Sequence, residues 1–348
     1  DEGATSPAGP ECIEWPNPVL FVNPDDLHGW VWQGFTVDVY TTISNLGEGT
    51  LAFTFPEWAA LSLLNDPTVE KNMPGTPYAN REQEIAKGDE SLDGTGYPIV
   101  LGAGGPDDFG YVWIDSDETG GPSFNWIDIT ATGTAVSTST LGDDGKVGPF
   151  NLGFPFEYYG EEKTQFWIAS NGAVCFTSAY HTYSNIGIPT NNSSYVDFIA
   201  LFWDDLYSTY AGTAIYYQNF ADYTVVQWND AQRLSYSGYT MDMQAILYKN
   251  GKIKVQYKDI TSGFILNSAT IGLQSSDPGL GLQVSYNTTY VHNNLAILYS
   301  LPADFIIDVQ PAFGTIAEGE SREITITYDS QDYEPGDYTQ ELLLESND

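Results

Sequence analysis

The stretch MDMQAILYKNGKIKVQYKDI, residues 241–260, decides the fold class of this chain. Two short apolar runs flank Asn250-Gly251, and an Asn-Gly pair in this setting is typical of a tight β-hairpin. The sequence therefore predicts two antiparallel strands that are joined by a two-residue type I′ turn at Asn250-Gly251.

Short apolar runs of the same kind recur at regular intervals on both sides of this hairpin, between residues 106 and 300. The 34 Gly and 19 Pro residues fall between the runs, as turns between strands require. Residues 35–43 alternate between apolar and polar positions, which is the period of a half-buried strand. Only residues 77–88 suggest a turn or two of helix, so the chain is predicted to be all-β.

The charge is strongly one-sided, with 11 Lys and Arg residues against 47 Asp and Glu residues and a net charge of −36. Such a surface repels phosphate backbones, so we expect no nucleic-acid partner. No apolar run reaches the roughly 18 residues of a membrane span, so we expect no membrane insertion. The acidity favours a solubilising surface for a salty or extracellular medium, and the sharper alternative is a set of carboxylates that recruit calcium.

The two ends of the chain resemble the two halves of one Ig-like repeat of the abnormal-spindle and hydin family. The first half matches through the strand ending Ile43-Ser44-Asn45-Leu46-Gly47 and through Leu51-Ala52-Phe53. The second half matches at Pro311, Gly314, Glu318-Gly319-Glu320, Pro335-Gly336, Tyr338 and Ser346-Asn347-Asp348. Each half supplies about three strands, too few for a stable sandwich alone. The resemblance implies one Ig-like β-sandwich that is split by an insertion.

The middle of the chain resembles the extracellular nidogen-like β domain found in secreted bacterial surface proteins. The motifs that carry this resemblance are, in order, Phe154–Gly160, Ile168–Gly172, Ile199–Leu206, Val225–Trp228 and Met243–Leu247. The resemblance implies a non-enzymatic extracellular module that is used in adhesion and assembly, and it does not identify a ligand.

Together the two resemblances predict the domain organisation. We expect residues 1–59 to form the first half of the Ig-like β-sandwich and residues 60–105 to form a linker or long loop. Residues 106–301 would form the inserted nidogen-like β domain, and residues 302–348 the second half of the Ig-like sandwich.

Groups that would support catalysis are scarce. The sequence lacks a nucleophile elbow, a phosphate-binding loop and a dinucleotide glycine motif. Cys175 lies in an apolar run, which favours a buried thiol over a nucleophile. Asp204 and Asp205 are successive residues that point to opposite faces of a strand, so they make a poor acid–base pair. We expect no enzymatic activity. The three histidines also show no paired spacing: His28, His181 and His292.

A tentative calcium loop is the best metal candidate. Asp115, Asp117 and Thr119 follow a D-x-D-x-T-G pattern that resembles the first half of a calcium loop. The twelfth position is Trp126 instead of the required Glu, which excludes an EF-hand. A solvated acidic turn is the alternative, and calcium is the one cofactor that the sequence suggests.

Two further features bear on assembly. Cys12 and Cys175 could form one disulfide, and two buried free thiols are the equal alternative. Four of the eleven cations fall in one hairpin and form a lysine stripe, which is Lys249, Lys252, Lys254 and Lys258. The stripe suggests either an exposed edge strand protected against sheet pairing or a docking surface for the acidic face of a neighbouring copy.

These observations favour a secreted, extracellular or cell-surface protein with a structural or adhesive role. We expect its partners to be copies of itself, other surface proteins or glycans, and a self-assembling subunit of a surface fibre, sheath or layer is the leading hypothesis. A carbohydrate-binding module is one alternative, and the ancillary domains of a larger secreted hydrolase are another.

Overall fold

The computed structural model describes residues 17–72, 86–178, 182–302, 305–330, 336, 338 and 340–348. It confirms the prediction of an all-β chain, with 41% of the described residues in strands and 5% in helices. The strands are β1 (Leu20–Asn23), β2 (Thr36–Asn45), β3 (Leu51–Thr54), β4 (Ala103–Gly104), β5 (Val112–Asp115), β6 (Thr134–Val136), β7 (Lys146–Tyr158), β8 (Glu161–Ala169), β9 (Ala173–Cys175), β10 (Phe198–Trp203), β11 (Ala214–Asn219), β12 (Tyr223–Ala231), β13 (Met241–Tyr248), β14 (Ile253–Lys258), β15 (Thr270–Gln274), β16 (Gly281–Tyr286), β17 (Leu295–Ser300), β18 (Ile306–Gln310), β19 (Phe313–Ile316), β20 (Ser321–Asp329) and β21 (Glu345–Ser346). The helices are α1 (Pro56–Asn65) and α2 (Thr138–Leu141).

The chain divides into two compact units, each built from separated stretches of sequence. The first unit comprises Asp1–Phe53, Phe305–Pro335 and Ser346–Asp348. The second unit comprises Thr54–Asp304 and Gly336–Glu345. Residues 60–72 and 86–105, which we expected to form a linker or loop, belong to the second unit, and β4 lies among them.

The first unit joins the early and late parts of the chain in one sheet with strand order β1-β2-β20-β18. β2 and β20 pair over nine residues, from Thr36 opposite Asp329 to Ser44 opposite Ser321. A second sheet has the order β19-β3-β21. Asn45 ends β2 with a fully buried side chain, whose amide donates to the carbonyl of Gly49 at 2.9 Å. The nine-residue pairing of β2 with β20 joins distant segments of the chain and so closes the unit.

The second unit is a β-sandwich of two antiparallel sheets. Their strand orders are β4-β5-β17-β14-β13-β12-β11-β6 and β16-β15-β10-β9-β8-β7. Alternate residues of both sheets enter one continuous apolar core, as period-two strands that face each other require. The phenol of Tyr257 crosses this core from β14 and donates to the carbonyl of Leu201 on β10 at 2.5 Å.

The predicted hairpin of residues 241–260 is present, but its turn differs from the predicted one. β13 and β14 pair from Leu247 opposite Ile253 to Asp242 opposite Lys258. Gly251 has a φ of +85°, whereas Asn250 is not in the left-handed region that a type I′ turn requires. The amide of Gly251 donates to the carbonyl of Tyr248 at 2.9 Å. The connection is therefore a type I turn followed by a left-handed glycine, and the type I′ prediction is wrong.

The central strands of both sheets are covered on both faces, which is uncommon for antiparallel sheets. Every residue of β10, β15 and β17 is buried, and β13 is buried as far as Leu247. On the outer face of the six-stranded sheet, Ile186 and Ile188 pack with Trp203 in a separate apolar cluster. The outer face of the eight-stranded sheet carries a smaller apolar cluster of Ile129, Val225 and Ile246. Beside this cluster lies a polar strip that needs a different covering.

A row of three glutamines anchors the covering of this polar strip. Gln227, Gln244 and Gln256 lie directly opposite one another on β12, β13 and β14, and none of them is exposed. Above them runs the non-strand segment 125–129, whose alternate backbone amides donate to the three side-chain carbonyls. The tightest pair is that of Asn125 and Gln256, with the two bonds at 2.6 and 2.8 Å. We call these three residues the glutamine row.

Helix α1 is an element that the sequence analysis missed. It begins at Pro56, at the first helical position that proline favours. Its first turn is buried, including the carboxylate of Glu57, and the helix lies against β4, β5 and β17 of the second unit. The signal was present in the Pro-Glu-Trp-Ala-Ala stretch, but its short apolar pattern resembles a strand end. Among the described residues, no helix is long and apolar enough to cross a membrane.

Replacing Gln256 with methionine tests the glutamine row. Gln256→Met keeps the volume of the side chain and removes both hydrogen bonds to the backbone of Asn125, which are partly buried. We expect a loss of about 1–3 kcal/mol in the free energy of unfolding, because each of the two hydrogen bonds contributes roughly 0.5–1.5 kcal/mol. Urea unfolding measures this loss. The exposed Gln165→Met on β8 is the matched control, and equal stability of the two variants would contradict the anchoring role.

Candidate functional site

The candidate site is built on the turn that follows the buried strand β10, where Asp204 and Asp205 leave the sheet. Asp204 is almost fully buried and accepts a hydrogen bond from the Ser268 hydroxyl at 2.5 Å. Its second oxygen accepts from the Asp205 amide at 2.8 Å. Burial raises the pKa of the Asp204 carboxyl, and the nearby Arg233 guanidinium opposes that rise.

Arg233 ties the loop 86–94 to this turn. Its Nε lies 3.1 Å from a carboxylate oxygen of Asp204. Its two terminal nitrogens donate to the two oxygens of Asp93 at 3.1 and 3.3 Å, which is the bidentate geometry that arginine favours. The guanidinium also lies 5.6 Å from the centre of the Tyr236 ring. One buried cation therefore holds two carboxylates from distant parts of the chain.

Next to this arginine lies a group of three carboxylates, which we call the acidic triad: Asp143, Asp144 and Asp205. One oxygen from each lies within 4.8 Å of the others. The Nζ atom of Lys87 lies 2.5 Å from Asp143, 2.6 Å from Asp144 and 3.7 Å from Asp205. Burial raises the pKa of Asp205 to about 6, and Lys87 opposes the rise. Despite partial desolvation, hydrogen bonds to Asp143 and Asp144 raise the pKa of Lys87 itself.

A cavity lies beside the triad and Arg233, lined by polar side chains that include Asn185 and Asn287. The Asn287 side chain accepts from the Asn185 amide at 2.8 Å, but its own amide nitrogen is buried without a hydrogen-bond partner. Both side-chain oxygens of Asp205 also lack one. This site therefore combines charged groups and unsatisfied polar atoms, which suits binding of a cation or another small polar species.

The two carboxylates of the tentative calcium loop contact different side chains. Asp115 is buried, accepting from the Tyr290 hydroxyl at 2.7 Å and from the Asp117 amide at 3.0 Å. Burial raises the pKa of Asp115 to about 6, against the effect of the Tyr290 hydrogen bond. The carboxylate of Asp117 pairs instead with His292 at 2.7 Å, and Thr119 is exposed. The two carboxylates thus serve separate structural contacts, Asp115 with Tyr290 and Asp117 with His292.

The lysine stripe does not form the exposed surface that we expected. β14 lies between β13 and β17 inside the eight-stranded sheet, so it is not an edge strand. Lys252 and Lys254 are buried, and their Nζ atoms pair with Glu57 at 3.3 Å and with Glu345 at 2.8 Å. Breaking a buried pair of this kind by removing one partner is costly. Both interpretations of the stripe, as a protected edge and as a docking surface, are therefore wrong for these two lysines.

The two remaining lysines lie at the ends of the stripe. Lys249 is exposed at the turn. Lys258 pairs with the neighbouring Asp259 at 2.8 Å and lies 5.4 Å from the centre of the Trp126 ring. Polar and apolar residues alternate along a strand in the same way whether its polar face meets water or buried carboxylates. The sequence pattern therefore did not reveal that Lys252 and Lys254 are covered.

Cys175 is a free, buried thiol on β9, and burial raises its pKa to about 11. It belongs to the apolar cluster on the outer face of the six-stranded sheet. Cys12 lies outside the described residues. A thiol of this kind is a weak nucleophile at neutral pH, because the reactive form is the thiolate.

Sequence reasoning missed most of the candidate site. Asp143 and Asp144 match no calcium-loop pattern, and Asp205 drew notice only as one half of a poor acid–base pair with Asp204. Lys87 and Arg233 gave no signal, because they are separated by 146 positions and only the fold brings them to the same turn. Two of the contributing turns did carry a visible motif, since Ile168–Gly172 and Ile199–Leu206 had supplied part of the resemblance.

The second unit is an antiparallel β-sandwich of two sheets whose central strands are covered on both faces, with a polar site at the end of β10. Residues 118–312 match the model of a family described as NIDO related. This match covers more than half of the chain, and the chain belongs to that family. It supports the nidogen-like resemblance of the central region. Neither the curated proteins nor the solved structures gave a significant match.

Replacing Arg233 tests the architecture of the candidate site. Arg233→Met leaves Asp204 buried without its charge partner, so we expect a loss of about 3–5 kcal/mol in the free energy of unfolding. Arg233→Lys keeps the charge but loses the bidentate contact to Asp93, and we expect a smaller loss. Urea unfolding at pH 7 measures both. Equal losses of stability for the two variants would contradict the claim that the positive charge at position 233 stabilises the buried Asp204.

Proposed function

We propose that this chain is a non-catalytic structural or adhesive protein of a bacterial cell surface, and that its copies assemble with one another. The observation that carries the proposal is the NIDO-related match over residues 118–312, because nidogen-like modules are extracellular. The net charge of −36 supports the same conclusion, since it suits a secreted protein in a medium of high ionic strength.

We further propose that the first unit is the Ig-like domain that carries the NIDO-related insertion. The nine-residue pairing of β2 with β20 supports this, because it joins the two segments whose motifs resemble the halves of one Ig-like repeat. The buried Asn45 of the first motif also supports it. Its side chain bonds the turn at Gly49 and, at 3.3 Å, the carbonyl of Ile316 at the end of β19.

The contact that we propose for assembly lies on the first unit, which exposes large aromatic side chains. Trp30 and Trp32 are 91% and 85% exposed, and Phe35 is 65% exposed. Among the described residues, strand β1 is an edge of its sheet and exposes Phe21. Exposed aromatics beside an edge strand are typical of a surface that pairs with another chain. We propose a second copy of this protein as that chain.

Assembly is tested by electron microscopy and light scattering of the purified chain over a range of concentrations. We expect ordered filaments or sheets in about 150 mM salt, where the Debye length of about 8 Å screens the acidic surface. The double variant Trp30→Ser/Trp32→Ser should shift assembly to at least tenfold higher concentration. A protein that stays monomeric at every concentration and salt would overturn the assembly proposal.

The matched control is Tyr239→Ser, which removes an exposed aromatic side chain from the second unit. This variant should assemble like the unaltered chain. If it weakens assembly as much as the tryptophan double variant, the aromatic surface of the first unit is not the contact. Circular dichroism of each variant shows whether the fold is retained.

A further inference from the structure

We propose that the acidic triad is a calcium site, and that the ammonium group of Lys87 holds the position of the ion until calcium displaces it. This inference concerns a site on the second unit and does not depend on self-assembly. It differs from the calcium loop that the sequence suggested, which shares no residue with the triad.

The spacing of the carboxylates fits one calcium ion. Two ligand oxygens that bind the same calcium at about 2.3–2.6 Å can be separated by at most about 5 Å. One oxygen from each of Asp143, Asp144 and Asp205 lies within 4.8 Å of the others. Three carboxylate oxygens are the hard ligands that calcium prefers, and water and backbone oxygens commonly complete its shell.

Unsatisfied carboxylate oxygens at the triad favour the binding of a cation. Asp205 is only 7% exposed, yet neither of its side-chain oxygens accepts a hydrogen bond. The cation nearest to it is Lys87, at 3.7 Å, which is beyond hydrogen-bond length. The second oxygen of Asp143 is likewise buried without a donor. Buried carboxylate oxygens without partners are costly, and a cation that is shared by the triad would satisfy them.

The site has two parts, the segment with Asp143 and Asp144 and the turn with Asp205, and hydrogen bonds hold both in place before any ion binds. Asn171 is fully buried between them, and its amide donates to Asp144 at 3.1 Å. Its side-chain carbonyl accepts from the amide of Leu206, next to Asp205, at 3.0 Å. The hydroxyl of Ser208 donates to the carbonyl of Gly142 at 2.5 Å. These bonds fix the triad independently of Lys87, as a preorganised binding site requires.

Lys87 behaves as a replaceable counter-ion. Its ammonium group contacts all three carboxylates and supplies one positive charge against three negative ones. Its side chain is 29% exposed on a long flexible stem, so the ammonium group has a path to solvent. A calcium ion at the same position would supply two charges. Calcium and Lys87 therefore compete, and removal of the lysine should favour the ion.

Calcium titration by calorimetry, with dilute protein in 150 mM KCl, tests the proposal. We expect one site above the diffuse binding of an acidic surface. Asp205→Asn should weaken that site at least tenfold, because it removes a charged ligand. Lys87→Met should strengthen it at least tenfold, because it removes the competing cation. Asp117→Asn, which alters the exposed acidic turn outside the triad, is the matched control and should change affinity less than twofold.

The opposite responses of two variants keep the test decisive. A variant that failed to fold would lose binding, so stronger binding by Lys87→Met cannot arise from unfolding. Circular dichroism confirms that Asp205→Asn is folded. The proposal is overturned if Lys87→Met shows no site at millimolar calcium, or if Asp117→Asn weakens binding as much as Asp205→Asn does.

Discussion

The hydrogen bonds between the glutamine row and segment 125–129 are the interaction on which the second unit depends. An antiparallel sheet usually leaves one face to water, but here the central strands are covered on both faces. A covering segment that is not itself a strand brings backbone amides and carbonyls out of water, and each of these needs a partner. The side chains of Gln227, Gln244 and Gln256 supply these partners at the spacing of a neighbouring strand.

In the six-stranded sheet, glutamine side chains likewise bind the backbone of the segment that covers the outer face. The amide of Ile188 donates to the side chain of Gln283 at 3.0 Å, and the amide of Thr190 donates to Gln274 at 2.8 Å. Asn185 bonds three further groups around Ser268, Thr270 and Asn287. Amide side chains carry both donors and acceptors without a charge, so they can pair irregular backbone at a lower desolvation cost than carboxylates or lysines. The candidate cation site lies at the margin of this second covering.

Local pattern was enough to predict part of the fold. The hairpin of residues 241–260 and most strands of the sandwich followed from apolar runs and turn residues. The turn type did not follow, because an Asn-Gly pair suits both a type I′ turn and a type I turn with a left-handed glycine. The buried lysines also escaped prediction, since Glu57 and Glu345 reach Lys252 and Lys254 from distant segments. The triad and Lys87 were missed for the same reason: long-range contacts leave no local periodicity.

The most direct test of the covering is amide hydrogen exchange at Asn125 and Ile129. Both amides lie outside the strands, and both donate to buried glutamines, at 2.6 and 3.2 Å. We predict that they exchange as slowly as the amides of Ala245 and Leu247 in β13, because the segment should open only with the sheet beneath it. Exchange as fast as that of the exposed loop residue Gly88 would contradict the claim that the glutamine row anchors the cover.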